Sequence, residues 1–145
     1  ALLNMCKNLV THLGIDHAVC LPGVVRPEDF QNYLKTSLAF VQHSVIADDG
    51  DTEGTPVSVL EASAAGLAVI STKHAGIPDV IIDGETGLLV DEHDVHGMAA
   101  AMILLLENKE LAMKLGAAGK ENIKANFSMQ QYINKLAEVI RQAVV

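Results

Sequence analysis

Two carboxylates, Glu53 and Glu61, bracket the stretch EGTPVSVLE at 53–61. The residues between them read as a helix start, with Thr55 as N-cap and Pro56 as the first helical residue. The N–H groups that follow, at Val57 and Ser58, have no carbonyl one turn back, so such a start is an anion site. The helix dipole contributes about 0.3–1 kcal/mol there, and ~2 when partly buried. That helps to hold a diphosphate without being sufficient alone. Glu61 falls about 7.5 Å further along the axis at 1.5 Å per residue, the reach of a ribose attached to that diphosphate. A carboxylate accepts from two vicinal hydroxyls at once, each charge-assisted bond being worth ~1.5–3 kcal/mol. The predicted helix is apolar nearly all round, so Glu61 reads as a lone acid in a buried helix, where acids need partners. A solvated or salt-bridged helix glutamate is the equal alternative. Glu53 precedes the helix and belongs to the loop at the mouth of the anion site. It is placed to bond hydroxyls of the group beyond a diphosphate, or it is an ordinary acidic loop residue.

The elements that must position these groups alternate along the chain. Apolar spacing predicts a helix over 1–13 closed by Gly14, a short buried strand over 18–21, a turn at Pro22 and Gly23, and a helix over 26–35. A second strand covers 38–41, a polar loop 44–55, the helix 56–65 closed by Gly66, and a third strand 67–71. Gly76 to Pro78 turns into a short helical piece, and Asp83-Gly84 turns into a fourth strand over 87–90. Three helices follow, over 95–107, 109–125 and 129–143. Strands alternating with helices imply an α/β, Rossmann-like, three-layer domain with a small parallel sheet of about four strands flanked by helices. One domain spanning 1–145 is expected at this length. Ligands of such sheets bind beyond the carboxyl ends of the strands, where the loop 44–55 lies. A doubly wound sheet ordinarily begins with a strand. This chain begins in a helix, which predicts that an N-terminal part precedes it.

Composition narrows the partners. Half of the residues are hydrophobic and only 3% aromatic, so the core is expected to be aliphatic, as in buried parallel strands. A formal charge of -8, with no basic run, argues against nucleic acid or an anionic membrane surface as the main partner. Cys6 and Cys20 lack metal-ligand spacing and read as two core thiols in a reducing compartment. No signal peptide is evident, and no apolar run approaches the roughly 20 residues of a membrane span. A cytoplasmic location is therefore expected, a peripheral one at the inner membrane face being compatible. The acidic run at 47–53, with Asp48, Asp49 and Asp51, lacks calcium-loop spacing and reads as solvated. Asp94, His93 and His96 lie at a helix start and read as capping residues, not a metal site. The helix 109–125 reads as an ordinary surface helix. The last helix would leave Tyr132, Ile133, Leu136, Val139, Ile140 and Val144 partly uncovered.

EGTPVSVLE resembles the E-x7-E motif of glycosyltransferase family 4, retaining enzymes of the GT-B fold. AVCLPGV at 18–24 is similar to that family's strand-plus-glycine segment, and FVQHS at 40–44 to its strand ending in Pro-Ser. EASAAGLAVI at 61–70, AGIPDVI at 75–81 and DGETGLLV at 83–90 follow in the family's order, so the resemblance covers nearly the whole chain. It implies the nucleotide-sugar-binding half of a GT-B enzyme, truncated at its N-terminus. It implies that Glu61 holds the nucleotide ribose and that Glu53 is the catalytic-side group at the donor sugar. Gly54, Thr55 and Val57 would hold the diphosphate through backbone N–H groups, Pro56 keeping the turn between them, and Val24 with Val25 would flank the base. The implied reaction is transfer of a sugar from a nucleoside diphosphate with retained configuration, without a cofactor or a required metal, in polysaccharide or glycolipid biosynthesis. The implied partners are the nucleotide-sugar donor and an N-terminal acceptor domain of the same enzyme. That domain would lie before residue 1, and so would a basic Arg/Lys pair on the first strand and loop of the donor-binding domain itself, facing the diphosphate.

Three positions depart from the family pattern. Pro56 replaces a usual Gly, which removes one N–H and shifts the phosphate contact to Val57. His43 replaces a Pro and reads as a structural loop residue. Asp79 stands where Glu is common, with no site role expected. Two other readings remain: a flavodoxin-like receiver or binding module, for which Asp48, Asp49 and Asp51 would mimic an acidic pocket but only Lys73 approaches the needed lysine, and an epimerase or phosphorylase-like enzyme on the same fold.

Overall fold

Helix α1 (Leu2–His12) ends where the pattern predicts. Gly14 takes φ 67, Ile15 N–H donates to Val10 O at 3.1 Å and Gly14 N–H to Thr11 O at 3.1 Å. This is the paired closure of a left-handed glycine C-cap. The structure, a computed structural model, describes residues 2–143; the predicted ends at Ala1 and Val144 lie outside them. The chain gathers into two compact units, Ala1–Tyr33 and Leu34–Val145, and α2 (Pro27–Thr36) runs across the boundary.

The first unit corrects two expectations. Residues 18–21 form no strand. A strand is maintained by its ladder, and this segment pairs with nothing among the described residues. Cys6 and Cys20, expected in the core, are both exposed. Cys6 sits on a helix none of whose described residues is buried, and Cys20 on the unpaired segment.

The second unit holds the sheet. Its strands are β1 (Ala39–Gln42), β2 (Ala68–Thr72) and β3 (Gly87–Val90), in the order β1-β2-β3 and parallel throughout. Among the described residues the sheet thus has three strands where about four are predicted. Every residue of the central β2 is buried, as expected of a parallel strand covered on both faces. Register pairs Gln42 with Ser71 and Thr72 with Val90, which brings the carboxyl ends of all three strands to one edge.

The helices of this unit are α3 (Val57–Ala65), α4 (Ile77–Val80), α5 (Val95–Glu107), α6 (Lys109–Asn126) and α7 (Met129–Ala143). Ala68 and Ile70 of β2 pack with Met98 and Leu105 of α5 and with Ala112 and Leu115 of α6 to form the aliphatic core. Asp94 caps α5, its Oδ1 accepting from Gly97 N–H at 2.8 Å, as the capping reading requires. α6 is more than a surface helix. It buries Ala112, Leu115, Gly116 and Gly119, and Gly116 admits the 66–68 backbone at close range. The apolar face of α7 is uncovered as predicted at Tyr132, Ile133, Leu136, Val139 and Ile140. Among the described residues, no helix is long and apolar enough to cross a membrane.

One core position is imperfect. Ser63, in α3, is 1% exposed, and its Oγ has no hydrogen-bond partner among the described residues. A buried unpaired hydroxyl costs free energy, and alanine is the better helix former. Ser63→Ala is therefore expected to stabilise the protein by about 1 kcal/mol, read as a higher urea midpoint at unchanged m-value.

Candidate functional site

The site is assembled at the carboxyl edge of the sheet. β1 delivers Gln42, His43 and Ser44 to that edge, and β2 delivers Ser71 and Thr72. Ser71 Oγ donates to Gln42 O at 2.8 Å and Thr72 Oγ1 to Ser44 O at 2.6 Å, so the end of β1 is tied to its neighbour beyond the ladder. Gln42 is the hub. Its Nε2 donates to Ser44 Oγ at 3.0 Å and to Glu53 Oε1 at 3.1 Å, while its Oε1 accepts from Ser58 Oγ at 2.7 Å. Ser44 Oγ also donates to Glu53 Oε1. Two donors thus fix one oxygen of Glu53; the other, Oε2, accepts nothing among the described residues. Glu53 lines an open groove of about 440 Å³ together with Gln42, His43, Ser44, Asp51 and Thr52.

The start of α3 differs from the prediction. Pro56, with φ -61 and ψ 128, is the N-cap, and the first helical residue is Val57. Thr55 therefore does not cap. Its Oγ1 donates to Gly76 O at 3.4 Å, and Gly76 N–H donates to Gly54 O at 3.3 Å. A proline ring supplies no capping oxygen, so the helix begins without a side-chain cap. Gly76 leaves room for this bond, because a Cβ there would collide with Thr55 Oγ1 and displace it. The Val57 and Ser58 N–H groups have no backbone partner among the described residues, as expected of a helix start.

Glu61 also differs. α3 buries only Val59, Ala62 and Ser63; it lies against α6 and β2 with its other side in solvent. The apolar run misled because alanines on the open side look like core in a sequence. Glu61 is exposed and has no hydrogen-bond or ion-pair partner among the described residues. It stands one turn below Val57, itself 67% exposed. Residues four apart share a helix face, so the free Val57 N–H and the Glu61 carboxylate lie along one open side, about 6 Å apart on the axis. The groove beside Glu53 is lined by none of Thr55, Pro56, Val57 or Glu61. Val24 is exposed and Val25 half-buried, both in the other unit.

Sequence reasoning missed the groups behind the loop. His74 is 1% exposed, and both ring nitrogens are engaged: Nδ1 with Glu92 Oε1 at 2.7 Å and Nε2 with Thr52 Oγ1 at 3.0 Å. Glu92 Oε2 accepts from Ile46 N–H at 2.9 Å. The Ile46 N–H, then the His74 ring, hold the Glu92 carboxyl below the usual carboxylate range. His93, at φ 63, donates its N–H to His43 Nε2 at 3.1 Å, which gives His43 the structural role expected of it. Lys73 is held by Asp91 at 3.0 Å, an ion pair that raises its pKa. The available signal was the polar run STKH at 71–74, which ends and follows the otherwise apolar β2, where strand ends meet ligands. Among the described residues no three His, Cys, Asp or Glu side chains converge as a metal cage.

A small parallel Rossmann-like sheet flanked by helices is the architecture of one half of a GT-B glycosyltransferase. The family described as "Glycosyl transferases group 1" matches residues 2–122, and the chain belongs to it. It is 30% identical over 136 residues to the amylovoran biosynthesis glycosyltransferase AmsK of Erwinia amylovora, covering 94% of this chain and 33% of that protein. It is 38% identical over 140 residues to the GDP-mannose-dependent alpha-(1-6)-phosphatidylinositol monomannoside mannosyltransferase of Mycobacterium tuberculosis, covering 96% of this chain and 36% of that one. Among solved structures, sucrose-phosphate synthase from Thermosynechococcus elongatus superposes with a TM-score of 0.80 at 25% identity, over 97% of this chain and 34% of that one. HepE from Anabaena in complex with UDP gives 0.84 at 17% identity, over 97% and 36%. The chain spans about a third of the length of these relatives. Membership of this family displaces the receiver-module reading.

Proposed function

We propose that the chain binds the nucleotide end of a nucleoside-diphosphate sugar and that the whole enzyme transfers the sugar to an acceptor with retained configuration. The observation that carries this is the open side of α3: an uncapped helix start at Val57 and Ser58 with the unpartnered carboxylate of Glu61 one turn below. The N–H groups suit a diphosphate and the carboxylate suits a ribose diol. Glu53, with one oxygen fixed by Gln42 and Ser44, faces the donor sugar. The named UDP complex of HepE, on the same fold, is consistent with a nucleotide ligand. The site residues in this reading are Gly54, Thr55, Pro56, Val57 and Glu61 for the nucleotide. No metal or cofactor is needed in this reading. The acceptor domain and a cationic pair for the leaving diphosphate belong to the rest of the enzyme, because charge released at the diphosphate needs donors and cations.

Titrating UDP, GDP and ADP against the protein while following amide resonances tests the reading. Shifts centred on Val57, Ser58 and Glu61 are expected with one of them at millimolar concentration. Unmoved resonances at Val57 with all three would refute it.

A further inference from the structure

We propose that His74, acting through Thr52, is a positioning residue for Glu53. The inference rests on the reading of Glu53 as the group that faces the donor sugar.

Residues 43–53 have no helix or strand to hold them. Their internal bonds include the Ala47 N–H to Asp51 O contact at 2.9 Å, the Gly50 N–H to Ala47 O contact at 2.8 Å and an Asp49 side-chain turn, which fold the tip at 47–51. The two ends are joined by Ser44 Oγ to Glu53 Oε1 and held to the sheet through Gln42 and Thr72. Between tip and ends, each flank is tied by a further chain of bonds. Glu92, just after β3, takes Ile46 N–H on Oε2 and the His74 ring on Oε1. His74, just after β2, reaches Thr52 Oγ1 with its other nitrogen. Ile46 on one flank and Thr52 on the other are thus joined through two side chains anchored at the ends of two strands.

The hydrogen count makes this arrangement directional. An ionised carboxylate only accepts, so the ring nitrogen facing Glu92 carries a proton. In the neutral ring the nitrogen facing Thr52 is then an acceptor for the single hydroxyl proton of Thr52. The other acceptor for that proton is Glu53 O, 3.3 Å from Thr52 Oγ1, so the hydroxyl beside His74 lies between the ring and the peptide group of Glu53 itself. A histidine that merely fills space needs no such pair of partners on separate elements. This one is buried and joins its two partners across the loop. Its output is the backbone position of Glu53, whose Oε1 is set independently by Gln42 and Ser44. Loss of the His74 contact therefore leaves the carboxylate present but loosens the angle at which it meets the sugar, and such misplacement lowers turnover more than binding.

Thr52 is exposed, so replacing it tests the chain of bonds without emptying the core. In the whole enzyme, Thr52→Val keeps the shape and removes the hydroxyl, whereas Thr52→Ser keeps the hydroxyl. Thr52→Val is expected to lower kcat about three- to tenfold while leaving Kd for the best-bound of UDP, GDP and ADP within about twofold, the range that one hydrogen bond supplies. Thr52→Ser is expected to restore kcat to within about twofold of the parent. Equal losses in both variants, an unchanged kcat in Thr52→Val, or a Kd that weakens in step with kcat would each overturn the proposal. Glu53→Gln in the same assay separates it from the reading beneath it. Unchanged turnover in Glu53→Gln removes the role of Glu53, whereas impaired Glu53→Gln beside an unaffected Thr52→Val removes only that of His74.

Discussion

Glu53→Gln in the whole enzyme is expected to lower kcat about a hundredfold or more, the scale on which removal of one preorganised electrostatic group acts, with nucleoside-diphosphate affinity nearly unchanged. The geometry makes the substitution a clean one. Oε1 accepts from Gln42 and Ser44, and an amide oxygen still accepts from both, though without charge assistance. The loop is therefore retained, and what disappears is the negative charge at Oε2, the atom with no partner among the described residues. Departure of a diphosphate leaves positive charge on the sugar carbon, and a fixed carboxylate beside it is worth most in the transition state. Glu61→Ala is expected to behave oppositely. It removes charge-assisted bonds present in ground and transition states alike, so donor affinity falls about ten- to hundredfold with kcat little changed. Steady-state kinetics with donor varied, together with direct binding of the nucleoside diphosphate, distinguish the two. A weakened Kd in Glu53→Gln with normal kcat, and the converse in Glu61→Ala, would exchange the roles and refute the assignment.

How far the sequence carries this site depends on what each part draws on. Helix C-termini closed by glycine were legible. Gly14 and Gly66, at φ 67 and 90, close their helices where glycine predicts. β3 and the loop between β1 and α3 also lie where periodicity and turn residues place them. Features that depend on non-local partners were not legible. The run at 18–21 has the composition of a strand but no ladder. α3 has the composition of a buried helix, yet only Val59, Ala62 and Ser63 meet the core. The consequence for Glu61 is a change of argument. Burial no longer demands a partner for it, and its case rests on its place below Val57 on an open face. Gln42 and His74 stayed hidden because each acts through contacts 11 to 22 residues away along the chain, a relation that no local pattern encodes.

Stability supplies the second large effect, at a residue that the surface-helix reading of α6 passed over. Gly116→Ala is expected to destabilise the protein by about 1–3 kcal/mol, the usual cost of overpacking a close contact, even though alanine is intrinsically favoured over glycine in a helix by about 1 kcal/mol. A Cβ at Gly116 would collide with Gly66 O and would stand 2.8 Å from Gly66 C and 3.0 Å from Ala68 N. All three are backbone atoms, at the C-cap of α3 and the entry to β2, so no side-chain rotation relieves the clash. Relief requires α6 to move off the core that Ala112 and Leu115 form with Ala68 and Ile70. Gly119, one turn on, provides the comparison: its nearest neighbour is a single oxygen, Thr86 O, at 3.0 Å, with Ser63 Cβ at 3.8 Å. A shift of a few tenths of an ångström accommodates Gly119→Ala, and the helix-propensity gain offsets much of its cost. Urea unfolding of the two variants should therefore separate them, with Gly116→Ala losing well over 1 kcal/mol and Gly119→Ala remaining close to the parent. Equal midpoints would mean that α6 does not approach the 66–68 backbone through Gly116. The same contact bears on function, because Gly66 terminates the helix whose other end presents Val57. A displaced α6 would move the C-terminus of α3 and tilt its open face, so Gly116→Ala is also expected to weaken nucleoside-diphosphate binding where Gly119→Ala does not.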